Sequence, residues 1–188
     1  MSEGHVLVLG GARSGKTGYA ERLAMHYGRK PVYLATAVAL DGEMRERVRT
    51  HQQARAARFR TVEEPVDLSS AIVTSAKTGD VILVDCLTLW ITNLLEASLD
   101  VAAAVEELAT TLTDIRAARV ILVSNEVGLG IVPDNPLARS FRDLAGAAHQ
   151  RLAEICDDVY FVVAGLPLTL KGHPPQTEAP PSNGVHEA

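Results

Sequence analysis

Short apolar runs alternate with longer amphipathic segments along most of the chain. The runs are continuously apolar rather than alternating with polar residues, which is typical of parallel strands covered on both faces. Together these runs and segments predict an α/β fold, with a mostly parallel, doubly wound sheet and flanking helices. Strands are predicted at 6–10, 32–36, 80–86, 119–125 and 159–165, and helices at 15–27, 41–58, 66–76, 87–95, 101–117 and 136–155.

The C-terminal residues depart from this pattern. Positions 172–188 (GHPPQTEAPPSNGVHEA) are rich in proline and polar residues and carry almost no large apolar side chains. A segment of this composition cannot bury enough apolar surface to offset the entropy lost on ordering. We therefore expect one α/β domain over residues 1–171 and a disordered tail over 172–188.

The overall composition narrows the class of protein. The 188 residues are 47% hydrophobic, as expected for a globular domain, and the net charge of −5 argues against nucleic acid as a partner. Two cysteines, Cys86 and Cys156, are too few for a disulfide scaffold and are interpreted as small core residues in a reducing compartment. The N-terminus lacks a signal-peptide pattern, and no apolar stretch approaches the roughly 20 residues of a membrane helix. We expect a cytoplasmic protein without a membrane span.

A glycine-rich motif follows the first predicted strand. Gly10, Gly15, Lys16 and Thr17 fit the spacing G-x-x-x-x-G-K-[ST] of a phosphate-binding loop, and a helical pattern follows. Glycines let consecutive backbone N–H groups turn toward phosphate oxygens, and the helix N-terminus adds positive potential. Lys16 is expected to reach the β- and γ-phosphates, and Thr17 to ligate Mg²⁺. The fold prediction thus becomes a P-loop NTPase-type domain, with a cradle formed by Gly10, Gly11, Ala12, Arg13, Ser14, Gly15, Lys16 and Thr17.

Polar residues stand at the ends of several predicted strands, where parallel α/β sheets bind their ligands. Asp85 ends the run VILVD, and we expect it to hold Mg²⁺ or the water shell of the ion. Capping of the next helix is the alternative reading of Asp85. Thr36 and Asn125 end two other runs. Glu126, directly after Asn125, is a candidate general base, with a helix cap or a salt bridge as the alternative.

An arginine-rich segment at 41–65 contains the best candidate nucleophile. On a helix, Arg47, His51 and Arg55 are spaced i, i+4 and i+8 and therefore share a face. Flanking guanidinium groups disfavour a charged imidazole, which keeps the ring nucleophilic, and they can also bind phosphate oxygens. This is the arrangement expected of a histidine that attacks a phosphorus atom. A solvated charged helix is the alternative, and the other histidines, His149 included, are interpreted as surface or packing residues.

Several segments together are similar to one enzyme family. They are GGARSGKT, YLATA, EMRERVRTHQQARAARFRTVEEP, VDCLTLWITNLL and VSNEVGLGIVPDNPLARSFRD. Over about residues 6–170 the chain resembles the bifunctional adenosylcobinamide kinases / adenosylcobinamide-phosphate guanylyltransferases of cobalamin biosynthesis. The phosphate loop alone is shared with many nucleotide-binding proteins, whereas the histidine segment and SNEVGLGIVP are far more specific.

The resemblance implies a two-step activity and a set of site residues. Family members phosphorylate adenosylcobinamide with ATP or GTP. They then transfer GMP from GTP to the product through a GMP-histidine intermediate, giving adenosylcobinamide-GDP and pyrophosphate. The resemblance makes His51 that histidine and implies a homotrimer. It also implies nucleotide contacts by the cradle and by Ala35, Thr36, Ala37, Arg55, Glu63 and Asp85.

One stretch departs from the family pattern. The family often has Arg-Pro followed by a tryptophan, whereas this chain has Arg55-Ala56 and then Phe59. Phenylalanine still supplies an apolar ring, so we expect function to survive. Two other hypotheses stay open at the level of sequence: a small-molecule or nucleotide kinase without a covalent step, and a nucleotide-driven switch or assembly factor.

Overall fold

A computed structural model describes residues 4–37, 57–76, 81–115 and 117–174 of the chain. These residues form one seven-stranded sheet whose spatial order is β3-β2-β4-β5-β1-β6-β7. Neighbouring strands are parallel except β6 and β7, which pair antiparallel. The strands are β1 (Val6–Gly10), β2 (Val32–Ala35), β3 (Arg60–Glu63), β4 (Val81–Asp85), β5 (Arg119–Asn125), β6 (Asp158–Val163) and β7 (Leu166–Lys171).

Five helices in the described ranges flank the sheet. They are α1 (Lys16–Tyr27), α2 (Leu68–Ala76), α3 (Leu87–Glu96), α4 (Val101–Asp114) and α5 (Pro136–Ile155). Caps define several of the boundaries. Asp100 accepts a hydrogen bond from Ala103 N at the start of α4, and Asn135 accepts from Leu137 N before Pro136, a residue suited to a first helical position. None of the helices in the described part of the chain has the length and apolar character needed to cross a bilayer.

Each face of the sheet carries its own apolar cluster. On one face, Tyr19 and Leu23 of α1 pack against strand residues such as Val8, Leu83 and Val123. The other face is covered by α2 to α5, whose apolar side chains pack against the alternate strand residues. The five strands between the two edge strands are therefore apolar on both sides, as the sequence predicts.

The predicted α/β architecture is confirmed, with several differences in detail. Two strands were not predicted: β3, which is short and largely polar, and β7, which follows a turn at Ala164 and Gly165. Both turn residues have positive φ, so β6 ends at Val163 and the chain reverses into β7. The helix predicted at 66–76 begins at Leu68, because the Asp67 carboxylate accepts a hydrogen bond from Ser70 N there.

Other sequence predictions concern residues outside the described ranges. Most of the predicted helix at 41–58 lies there, and 57–58 form part of a turn. Most of the tail predicted at 172–188 lies there too, since the last described residue is 174. The two cysteines are both buried and unpaired by disulfides, as predicted for small core residues.

Candidate active site

The phosphate-loop motif begins at the end of β1, in the middle of the sheet. Gly10 pairs with Asn125 of β5 on one side and with Val162 of β6 on the other. A Cβ atom on Gly10 would approach Ser14 Oγ and the Val162 carbonyl oxygen to 2.6 Å, so only glycine fits. The Ser14 hydroxyl is buried and has no hydrogen-bond partner in the described protein. A buried hydroxyl of this kind suits a polar ligand in the loop.

The second half of the loop needs an unusual backbone. Gly15 has a φ of 91°, in the left-handed region that glycine adopts most easily. A Cβ atom on Gly15 would also lie 3.1 Å from the Cα atom of Gly165, in the β6–β7 turn. Gly165 N in turn donates a 2.8 Å hydrogen bond to the Ser14 carbonyl. The phosphate loop is therefore packed directly against the turn between the last two strands.

Lys16 is the first residue of α1 and folds back over the loop. Its Nζ donates a 3.0 Å hydrogen bond to the Gly11 carbonyl, and the residue is only 8% exposed. Burial lowers the pKa of Lys16, against the opposing effects of Cys86 and Asp85. An ammonium group held at low exposure over a curled backbone is suited to binding an anion.

Asp85 ends β4 next to the loop, and its carboxylate is held in place from β2. The Tyr33 hydroxyl donates a 2.6 Å hydrogen bond to Asp85 Oδ2. The helix-cap alternative for Asp85 is wrong, because α3 begins after Cys86 as the N-cap residue, with no side-chain cap bond. Asp85 is thus an oriented carboxylate at a strand end.

Ala35, Glu63 and Asp85 lie in one row across the sheet. Ala35 of β2 is in register with Glu63 of β3 and with Asp85 of β4. Because all three strands run parallel, these residues reach the same edge of the sheet together. Thr36 and Ala37 continue the chain beyond that edge. The sequence-predicted contacts of β2, β3 and β4 are therefore neighbours, with Glu63 on the exposed edge strand.

A network of buried polar groups fastens the strand ends to α3. Thr36 Oγ1 accepts a 2.8 Å hydrogen bond from Cys86 N and donates one of 2.8 Å to the Cys86 carbonyl. Asn93 Nδ2 donates to the carbonyls of Thr36 and Pro65, at 2.8 and 2.9 Å. Asn125 Nδ2 donates 3.0 Å to Thr88 Oγ1. These bonds fix the ends of β2, β4 and β5 relative to one another.

Three residues of this site were not predicted from the sequence: Tyr33, Thr88 and Asn93. Asn93 carried a signal in the sequence, because it is the most polar residue of the predicted helix LTLWITNLL. Thr88 and Tyr33 carried none, since their partners are distant in sequence. Phe59 is 2% exposed and packs edge-to-face against Tyr33, with 5.7 Å between the ring centroids. His51 and Arg55 lie outside the described residues.

The oxygen donors near the loop fit Mg²⁺. Thr17 offers a hydroxyl and Asp85 a carboxylate, the hard donors that Mg²⁺ prefers. Within the described residues, no group of three or more histidine, cysteine, aspartate or glutamate side chains is arranged to hold a metal. At nucleotide sites Mg²⁺ commonly takes one or two protein ligands and completes its shell with phosphate and water.

Solved structures share the fold at low sequence identity. The type III secretion ATPase EscN of enteropathogenic E. coli aligns with a TM-score of 0.52 and 10% identity, covering 87% of this chain and 44% of EscN. A protein of Pyrococcus horikoshii OT3, PH0250, aligns with a TM-score of 0.51 and 11% identity, covering 90% of this chain and 87% of that one. The fold is therefore of the P-loop NTPase type.

Sequence relatives are much more similar. The chain is 49% identical over 170 residues to the bifunctional adenosylcobalamin biosynthesis protein CobP of Pseudomonas aeruginosa, covering 89% of this chain and 98% of that protein. It is 41% identical over 182 residues to the bifunctional adenosylcobalamin biosynthesis protein CobU of Salmonella typhimurium, covering 88% and 99%. Residues 6–170 match the model of the CobU family, described as cobinamide kinase / cobinamide phosphate guanyltransferase. The chain belongs to this family of cobinamide kinases and cobinamide phosphate guanyltransferases.

Proposed function

We propose that this protein phosphorylates adenosylcobinamide and then transfers GMP from GTP to the resulting phosphate. The observation that carries the proposal is the phosphate loop beside the oriented Asp85 carboxylate, in a chain that matches its family over residues 6–170. One triphosphate site of this kind can present either the γ- or the α-phosphorus to an acceptor. We assign ATP or GTP as donor of the first step and GTP as donor of the second.

In the kinase step, an alcohol oxygen of adenosylcobinamide attacks the γ-phosphorus and the bond to the β-phosphate oxygen breaks. The described residues contribute mainly position and charge to such a reaction. Backbone N–H groups of the loop bind phosphate oxygens, and the Lys16 ammonium offsets negative charge on the β- and γ-phosphates. Thr17 and Asp85 would hold Mg²⁺, which supplies further charge neutralisation when bound.

In the transferase step, an imidazole nitrogen of His51 attacks the α-phosphorus of GTP and pyrophosphate leaves. An oxygen of adenosylcobinamide phosphate then attacks the same phosphorus and displaces His51, giving adenosylcobinamide-GDP. Two displacements of moderate difficulty thereby replace one harder transfer. Arg55 is assigned to phosphate oxygens. The family resemblance assigns nucleotide contacts to Ala35, Thr36, Ala37 and Glu63. The register that places Ala35 and Glu63 in one row with Asp85 supports this assignment.

We also propose that the enzyme is a cytoplasmic homotrimer. Exposed apolar side chains support association between copies, because contiguous apolar surface commonly marks an interface. Ile131 is 97% exposed and Leu129 is 81% exposed, in the loop that follows β5. Leu166, Leu168 and Leu170 alternate along β7, an edge strand, and are also exposed. The trimer number comes from the family resemblance.

Labelling with GTP tests the covalent step. The protein is incubated with GTP carrying label at either the α- or the γ-phosphate, and retention of label on protein is measured after denaturation. We expect only the α-label to be retained, through an acid-labile and alkali-stable bond, and adenosylcobinamide phosphate to discharge it. His51→Ala should abolish the label, whereas the control His173→Ala should retain it. Uptake of α-label by His51→Ala would show that another group is the nucleophile.

The same experiment separates the proposal from a kinase that has no covalent step. Such a kinase would phosphorylate an alcohol from the γ-phosphate and would take up no α-label in the wild type.

The assembly state is tested independently by light scattering of purified protein. We expect three times the chain mass, and a lower mass when Leu168 and Ile131 are both replaced by glutamate.

A further inference from the structure

His149 is a buried histidine that is bonded to the end of β5. It lies on α5, is 6% exposed, and its Nε2 is 2.7 Å from the hydroxyl oxygen of Ser124. Its other ring nitrogen, Nδ1, faces Glu126, with 3.7 Å to Oε2. Ser124 is fully buried. The ring therefore lies between a fixed hydroxyl and a carboxylate.

Glu126 lies directly beside the start of the phosphate loop. Its backbone N–H donates a 3.0 Å hydrogen bond to the Gly10 carbonyl, extending the β5–β1 pairing by one residue. Its side chain is partly buried, and Oε1 accepts a hydrogen bond from Gly128 N. The two carboxylate oxygens thus have different neighbours: Gly128 N holds one, and His149 faces the other.

Glu126 also lies at the edge of the sheet formed by the carboxyl ends of the parallel strands, where α/β sheets bind their ligands. The phosphate loop leads into α1, which covers one face of the sheet, and His149 belongs to α5 on the other. Bound phosphates lie over the N-terminus of α1. An in-line transfer brings the acceptor in opposite the leaving group. The acceptor hydroxyl must therefore bind near this edge of the sheet, where Glu126 follows the last residue of β5.

We propose that Glu126 accepts the proton of the acceptor hydroxyl in the kinase step, and that His149 is a positioning residue that orients the Glu126 carboxylate. This inference rests on the proposed kinase activity. The acceptor oxygen forms a bond to the γ-phosphorus, and the bond from that phosphorus to the β-phosphate oxygen breaks. The proton of the hydroxyl passes to Glu126, and the nucleoside diphosphate leaves.

The state of the His149 ring fits this role. Burial lowers the pKa of His149, with Glu126 opposing the shift. A neutral ring has one donor and one acceptor nitrogen. It can accept from the Ser124 hydroxyl at Nε2 and present an N–H to Glu126 at Nδ1. The neutral ring then orients the Glu126 carboxylate without neutralising its negative charge.

Two amide variants separate the two contacts of the ring. The amide of asparagine is nearly isosteric with Nδ1, so His149→Asn keeps a donor toward Glu126 and loses the Ser124 bond. The amide of glutamine is nearly isosteric with Nε2, so His149→Gln keeps the Ser124 bond and loses the donor toward Glu126. A merely structural role would favour His149→Gln, because the Ser124 bond is the shorter and more buried one. The positioning role favours His149→Asn.

The experiment measures kinase kcat and KM with adenosylcobinamide and ATP, together with nucleotide Kd and melting temperature. We expect Glu126→Gln to lower kcat by about 10²- to 10⁴-fold, the range of general-base catalysis, with nucleotide Kd within about twofold. His149→Gln should lower kcat by about 10- to 100-fold, and His149→Asn should recover much of that loss. His173→Gln is the control, because His173 pairs with Asp158 at 3.2 Å and is not in the loop region.

Three other results would overturn this inference or the proposed function on which it rests. If the wild type is active and Glu126→Gln keeps its kcat, Glu126 is not the proton acceptor and only this inference fails. If His149→Gln is as active as His149→Asn, or loses only melting temperature, His149 is structural. If the wild type binds ATP but phosphorylates no adenosylcobinamide, the proposed function itself fails, and this inference fails with it.

Discussion

The Tyr33 hydroxyl donates a 2.6 Å hydrogen bond to Asp85 Oδ2. Tyr33 of β2 therefore orients the carboxylate that ends β4, the strand paired with β2 in the sheet. Outer partners of metal ligands typically change metal affinity when they are removed. The pair therefore links a residue with no direct ligand role to the expected Mg²⁺ dependence of the enzyme.

Replacing Tyr33 by phenylalanine should raise the Mg²⁺ concentration needed for nucleotide binding by about 10- to 100-fold, because Asp85 loses its orienting donor. The measurement is a Mg²⁺ titration of GTP affinity. Tyr27→Phe is the control, since Tyr27 stacks its ring under Arg119, 3.7 Å away. An unchanged Mg²⁺ requirement in Tyr33→Phe would show that Asp85 does not depend on this bond.

Lys16→Met should weaken triphosphate binding by about 10- to 100-fold, the equivalent of one charge-assisted hydrogen bond of about 1.5–3 kcal/mol. Both the kinase and the transferase steps should slow, because both use the same cradle. The measurement is nucleotide Kd together with the two rates. A kinase rate that is unaffected in Lys16→Met would show that ATP binds elsewhere.

The same substitution should change how stability depends on pH in the absence of nucleotide. The pKa of Lys16 is lowered in the folded protein, so the unfolded chain binds the extra proton between the folded value and 10.5. Stability from this group therefore rises as pH increases through that window. Denaturant unfolding at a series of alkaline pH values should show that rise in the wild type and a smaller one in Lys16→Met. Equal slopes in the two proteins would contradict it.

Gly15→Ala should destabilise the protein, because a φ of 91° is costly for alanine and its Cβ would press on Gly165. The conformational cost is about 1–2 kcal/mol, and each kcal/mol corresponds to a melting temperature lower by about 2–4 °C in a chain of this size. Gly11→Ala is the matched control in the same loop, where a Cβ has open space. Equal melting temperatures for the two variants, measured without nucleotide, would contradict the expectation.

Thr36→Val should cost about 1–3 kcal/mol of unfolding free energy, since it leaves buried backbone groups of Cys86 without their partner. Thr36→Ser keeps the hydroxyl and should recover most of the loss. Thr110→Val is the control, because the Thr110 hydroxyl bonds a carbonyl of its own exposed helix turn. The check is the denaturant midpoint of each variant, and a Thr36→Val midpoint equal to that of Thr110→Val would contradict it.

The central part of the fold could be predicted because buried parallel strands need continuous apolar runs. β5 begins and ends at the predicted residues, and the phosphate loop can be recognised from the spacing of its glycines and lysine. The edges could not be predicted in the same way. β3 pairs on one side only and is mostly polar, and β7 carries Pro167, a residue that lowers the strand signal.

The site was predictable where residues act through local sequence, and not where they act through distant partners. Lys16 and Asp85 stand at a loop and a strand end that can be read from the chain, whereas Glu63 was named only through the family resemblance, because β3 was not predicted. The proposed role of His149 could not be predicted in this way. A single histidine in an amphipathic helix gives no sign that its partner Ser124 lies in a strand 25 residues earlier, or that Glu126 directly follows that strand.

The bond from Gly165 N to the Ser14 carbonyl makes the last hairpin a scaffold for the nucleotide cradle. A shortened chain that ends at Val163, before this turn, would leave that carbonyl without its donor and remove the Gly165 backbone that lies against Gly15. Replacing this hairpin, for example with a fused tag, should therefore change the affinity for the triphosphate, although no residue assigned to the ligand has been substituted.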